Sequence, residues 1–255
     1  MPEKVEMTSA EISGGQATSR RKFMGYIGLA GAGAALVACS PTENTPPELT
    51  PAQKAARQDL AILNYALNLE YLEADFYRRF DSGDLKGKLS DPRVQEFAKE
   101  LAAQEKAHVE ALKATIVKLG GTPDPMPQFD YSSLVGDGSG LNDAVFLELA
   151  VTFEPVGTRA YLGQAARLTN PDLLAAAAAI LAVEANHVSA IQELRTERGE
   201  NKTPTRMTAR APQSDAKPSS TSTKDFDPNF APLPTALWEP LTMAETLAIV
   251  GPLFK

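Results

Sequence analysis

The chain has two histidines among 255 residues, and each closes a Glu-x-x-His: Glu105-Lys106-Ala107-His108 and Glu184-Ala185-Asn186-His187. On a helix, residues three apart share a face, so each motif aims a carboxylate and an imidazole at one point. Two such helices, with a lone glutamate from each of two others, make the six-ligand core of a dinuclear metal site in a four-helix bundle. The motif pair therefore asks for an all-α chain with four long helices. Abundant alanine and few β-branched runs agree with that.

Bulk properties narrow the partners. A net charge of -7 argues against nucleic acid, which needs a basic face to neutralise phosphate. One cysteine excludes an internal disulfide and a thiolate metal cluster.

That cysteine falls in an N-terminal address. Ser19-Arg20-Arg21-Lys22-Phe23-Met24 resembles the twin-arginine export signal. A short apolar segment rich in Gly and Ala follows, ending in Leu36-Val37-Ala38-Cys39, which resembles a bacterial lipobox. The resemblance implies lipidation at Cys39, export in the folded state, a cell-envelope location and attachment to the membrane through lipid. An uncleaved N-terminal anchor is the other reading of this segment. Export after folding would let iron or manganese enter the site in the cytoplasm, although intrinsic affinity favours copper or zinc.

Residues 1–39 thus read as signal peptide and 40–51 as a proline-rich tether. A helical domain is expected over 52–198, an irregular or disordered arm over 199–234 and a helical segment over 235–255. Thr50-Pro51 reads as cap and first position of a helix ending near residue 80. Asp91-Pro92 opens a second helix, which Gly120-Gly121 stops. A third helix is expected from about Leu141 to Leu168, and a fourth from Pro171 to Arg198. The connection from Thr122 to about Gly140 starts with three prolines in five residues, which forbid a helix there. It is long enough to recross the bundle or to wander back as an antiparallel loop. Near the C-terminus, Thr242-Met243-Ala244-Glu245 is a capping box opening a short fifth helix to about Phe254. No internal repeat is evident beyond the two helix pairs.

In an antiparallel hairpin, residues at one height lie equally far from the turn. Glu70 and Glu105 have their midpoint inside the first turn; Glu154 and Glu184 have theirs in Thr169-Asn170-Pro171. Glu73 passes the same test, and Glu148 fits worse. Glu70 sits in an apolar stripe of Leu63, Leu67 and Ala74, and Glu154 in one of Leu147, Val151 and Thr158, both suited to a core face. The stripe around Glu73 is less apolar. Glu73, Glu100 and Glu110 are read as surface or supporting residues, with Glu73 in place of Glu70 as ligand left open. Tyr77 and Tyr161, two turns after Glu70 and Glu154, read as core residues with a hydroxyl hydrogen bond, a redox or proton role being the other reading. Trp238 reads as packing for the last helix.

Glu70, Glu105-x-x-His108, Glu154 and Glu184-x-x-His187 resemble the ligand set of the ferritin-like superfamily. Leu67-Asn68-Leu69-Glu70-Tyr71-Leu72-Glu73-Ala74 and Glu154-Pro155-Val156-Gly157-Thr158-Arg159-Ala160-Tyr161-Leu162-Gly163 are similar to its desiccation-related bacterial branch. The similarity spans about 55–198. It implies a four-helix bundle with one long crossover between the second and third helices. It also implies two iron or manganese ions and oxygen or peroxide as reactant, in metal oxidation or peroxide decomposition during stress protection. A non-catalytic desiccation or stress protein of the envelope, or a metal-binding protein, is the alternative. Pro155 departs from the helical pattern and puts the aim of Glu154 in question.

Overall fold

The computed structural model describes residues 48–200 and 238–255. The twin-arginine motif, Cys39, most of the tether and the arm from 201 to 237 lie outside the described residues.

Four long helices carry the architecture: α1 (Pro51–Asp81), α2 (Pro92–Lys118), α4 (Asp143–Ala165) and α5 (Pro171–Glu197). A single turn, α3 (Ser132–Val135), interrupts the connection between α2 and α4, and α6 (Met243–Val250) follows near the C-terminus. Among the described residues there is no named strand, only an isolated bridge between Phe129 and Phe254.

Local chemistry explains the helix starts. Thr50 accepts from the backbone of Gln53 while the Gln53 side chain accepts from Thr50, a reciprocal capping box ahead of Pro51. Asp91, Asn142 and Asn170 each take up a free N–H of the next helix. Thr242 and Glu245 close a second capping box at α6. That helix ends earlier than the sequence suggests. Gly251-Pro252 tightens the chain into a 3-10 turn at Gly251–Leu253.

α1 pairs with α2 and α4 with α5; the hairpins meet with α1 against α4 and α2 against α5. Two buried aspartates show how they meet. Asp59, near the start of α1, accepts from the backbone and hydroxyl of Thr169 in the α4–α5 turn, at 2.8 and 2.7 Å. Asp143, at the start of α4, accepts from the backbone and hydroxyl of Ser90 in the α1–α2 turn, at 2.8 and 2.6 Å. The start of α1 therefore lies by the end of α4, and the start of α4 by the start of α2. α2 and α4 run parallel, so their connection recrosses the length of the bundle.

Polar residues of α1 hold this crossover. Buried Asn64 accepts from the backbone N–H of Asp124 at 2.8 Å, and buried Asn68 donates to the Asp124 carboxylate at 2.9 Å. The hydroxyls of Tyr71 and Tyr131 donate across the same seam, to the Asp124 and Leu72 carbonyls. The C-terminal segment then locks the far side. Leu241 N–H donates to the Arg159 carbonyl of α4, and the backbones of Asp130 and Lys255 bond to Leu253 and Gln128. Trp238 is half-buried against the core beside this segment. Phe76, Phe80, Phe146 and Phe153 pack into one aromatic core between α1 and α4. This core fills the bundle on one side of the glutamates, and Leu63, Leu67, Leu112 and Ile116 fill it on the other.

Candidate metal centre

Each helix delivers its carboxylate from a core-facing position. Glu70 comes from α1, Glu105 and His108 from α2, Glu154 from α4, and Glu184 and His187 from α5. The four glutamates are fully buried, His187 is 5% exposed, and the His108 side chain is 11% exposed. α4 runs through Pro155 as one continuous helix, and Glu154 still points into the centre. The missing proline N–H removes a single ladder bond, and the flanking turns keep the helix together.

All six residues converge. His108 Nδ1 lies 3.2 Å from Glu70, 3.1 Å from Glu105 and 3.3 Å from Glu184. His187 Nδ1 lies 3.1 Å from Glu105 and 3.0 Å from Glu154. The rings stand near parallel, with centroids 6.3 Å apart. Glu70, Glu105, His108 and Glu184 each place one ligand atom within 4.8 Å of the others, and so do Glu105, Glu154, Glu184 and His187. Glu105 and Glu184 belong to both groups. The arrangement is thus two overlapping sets, each with one histidine and one unshared glutamate, joined by two shared carboxylates.

Three further residues complete the centre. Glu73, one turn after Glu70, is not at the surface: it is 3% exposed and sits within the carboxylate cluster. Its helical stripe contains Glu70 itself and Tyr77, so a count of apolar neighbours undervalues a face that is polar because it lines a site. Gln104 accepts from His187 Nε2 at 2.7 Å, which holds the ring with Nδ1 turned to the carboxylates. Gly157 faces Glu184 and Glu73 with no side chain of its own. Glu100 and Glu110 are exposed. Tyr161 donates to Glu70 at 2.5 Å, and Tyr77 makes a short hydrogen bond to Glu154.

The electrostatics follow from crowding acids in a dry interior. Burial pushes Glu70 up to about 8, against the pull of His108. Burial drives Glu73 and Glu184 well above the usual carboxylate range, and neighbouring glutamates push them further. Glu154 is raised by burial although His187 opposes it. Glu105 goes the other way: burial works to raise it, but hydrogen bonds with His108 and His187 hold it at about 2. Burial would lower the histidines, yet the surrounding carboxylates lift His108 to about 12 and His187 to about 11. Tyr77 and Tyr161 are pushed well up by burial and by Glu154 and Glu70 respectively, which keeps both as donors.

The donor set fits cations. Each Nδ1 carries at most one proton, yet two or three carboxylate oxygens crowd it. Glu184 Oε2 and Glu73 Oε2 are buried with no hydrogen-bond partner, while Glu105 Oε1 and Glu184 Oε1 face only an already crowded histidine Nδ1, at 3.1 and 3.3 Å. Unpaired buried carboxylates are costly, and divalent cations placed among them would remove that cost. Carboxylate oxygens with imidazole nitrogens suit divalent cations, and among the described residues no thiolate competes.

Residues 58–197, more than half of the chain, match the family described as ferritin-like domain. The chain belongs to the ferritin-like family. No curated protein matches it. Membership accounts for the four-helix architecture and for a buried carboxylate–histidine cluster compatible with a metal site.

Proposed function

We propose that this ferritin-like protein holds two iron or manganese ions and uses them to oxidise metal or decompose peroxide. The observation that carries the proposal is the pair of overlapping ligand groups sharing Glu105 and Glu184. Such a pair of ions supplies redox equivalents and Lewis acidity to an oxygen–oxygen bond.

The chain's own residues do the rest. Glu70 with His108 would bind one ion and Glu154 with His187 the other, while Glu105 and Glu184 would bridge. Gln104 orients the His187 ring. Tyr77 and Tyr161 keep their protons and hold the terminal carboxylates in place by donating to them. The bundle core excludes bulk water, which strengthens every charge interaction inside it. A cavity of about 60 Å³ is lined by Leu63, Ala66, Leu112, Leu173 and Tyr161, the residue that bonds Glu70. Its apolar walls favour a small oxidant over a charged substrate.

The N-terminal sequence supports an envelope location, with export by the twin-arginine route and a lipid at Cys39. Fractionation of cells carrying Cys39→Ala tests this: release of the protein from the membrane supports the anchor, and unchanged membrane association contradicts it.

The function itself is tested on the full chain produced with iron and manganese supplied. Metal content is measured first, then peroxide consumption and ferrous oxidation. Two ions per chain with turnover support the proposal. Two ions without turnover reduce it to metal binding, and a chain without bound metal refutes it.

A further inference from the structure

The two halves of the centre repeat at five paired positions. Asp59, Glu70 and Tyr77 on α1 stand at the same spacings as Asp143, Glu154 and Tyr161 on α4. Their contacts exchange in matching fashion. Each aspartate caps the turn of the other hairpin, and each tyrosine bonds the glutamate of the other helix. On α2 and α5, Glu105 and His108 match Glu184 and His187.

Two polar residues of the centre have no counterpart: Gln104, opposite Val183 in the repeat, and Glu73. Three residues after Glu70 stands a glutamate, and three residues after Glu154 stands Gly157. The two face each other. A Cβ at Gly157 would lie 2.9 Å from Glu73 Oε1 and 2.8 Å from Glu184 Oε2. Any side chain there would push both carboxylates aside. The glycine therefore opens the space into which the carboxylate of Glu73 reaches, beside Glu184. Glu73 is 3% exposed, and its Oε2 has no hydrogen-bond partner. An apolar or amide residue would fill this volume without burying an unpaired acid.

We propose that Glu73 is a seventh ligand of the ion pair, entering from the α1–α4 side across Gly157 and bonding beside Glu184. The proposal rests on the dinuclear reading above. The six-residue set offers both ions the same types of ligand; a seventh carboxylate from one helix gives one ion a donor that the other lacks. It also adds a hard oxygen donor, which favours manganese and ferrous iron over softer ions.

The test uses the full chain stripped of metal, as wild type, Glu73→Gln and Glu73→Leu. Each is titrated calorimetrically with Mn²⁺ and spectroscopically with Co²⁺, whose ligand-field bands report coordination number, and each is melted without metal. Two ions of unequal affinity are expected in the wild type. Both variants should still take two ions but bind one of them about tenfold more weakly or worse, the range seen when even an outer partner of a ligand is lost. Their Co²⁺ bands should shift. Their metal-free forms should melt higher than the wild type, because one buried acid is gone. Unchanged affinities and bands, or a metal-free variant that melts lower while binding normally, would assign Glu73 to packing and overturn the proposal. A wild type that binds neither ion would refute the dinuclear reading itself.

Discussion

Tyr77 and Tyr161 show how much a single donor matters in a site made of acids. Each hydroxyl is buried and aimed at one carboxylate oxygen of the opposite helix. Removing such a donor leaves a buried acceptor unsatisfied, at about 1–3 kcal/mol. For a chain of this size that corresponds to roughly 2–4 °C of melting temperature per kcal/mol. Tyr161→Phe in metal-loaded protein should therefore melt several degrees lower by calorimetry, with Tyr77→Phe behaving alike. Melting temperatures equal to wild type would deny the hydroxyls a holding role. At this scale the sequence is legible where spacing speaks. Glu70, Glu105, His108, Glu154, Glu184 and His187 follow from helical periodicity and hairpin symmetry, and the structure brings them together. Glu73, Gln104 and Gly157 do not follow. Their roles depend on what lies across the bundle, and one-dimensional periodicity carries no information about that.

Among the elements, helix starts were readable because caps are local. Thr50-Pro51, Asp91-Pro92 and Asn170-Pro171 each place an acceptor before a proline, and each begins a helix. The crossover was not readable from the residues. Its span permits either topology, and only the family resemblance favoured recrossing. What decides it are Asn64 and Asn68, buried polar residues that pair with Asp124. In the sequence they are two polar positions of an amphipathic helix like any others. The C-terminal segment depends on a comparable hidden contact. A Cβ at Gly163 would lie 1.8 Å from the Leu241 carbonyl oxygen. Backbone cannot yield there without the segment moving away. Gly163→Ala should raise amide hydrogen exchange across Met243–Val250 and lower stability by about 1–3 kcal/mol, in the range of overpacked cores. Exchange in α1 and α2 should change little. Normal protection of α6 in this variant would contradict the docking geometry.

For the molecule as a whole, the paired aspartate caps, tyrosine bonds and Glu-x-x-His motifs make two halves of one pattern around a charged centre. That centre should set the pH response. Without metal, Glu70 holds its proton to about 8 when folded but releases it near 4.5 when unfolded. The histidines hold theirs to about 11 and 12 when folded, against 6.5 unfolded. The folded state then binds more protons than the unfolded one, so stability falls as pH rises. Glu105, lowered to about 2, contributes stability above its unfolded value near 4.5 that is lost as pH falls through about 2. Metal-free protein should accordingly melt highest near pH 5 and progressively lower towards pH 8. Ions displace those protons, so the gain in melting temperature from Mn²⁺ should grow over the same interval. A metal-free protein that is more stable at pH 8 than at pH 5 would contradict this electrostatic account.

On the proposed function, two ions would lie between His108 and His187, held by Glu105 and Glu184 between them. Anomalous scattering from crystals of manganese-loaded protein, recorded at the manganese edge, tests it most directly. Two peaks are predicted per chain, one within bonding distance of each histidine Nδ1 and both flanked by Glu105 and Glu184. A single peak, a peak outside the bundle core, or none at these side chains would contradict it.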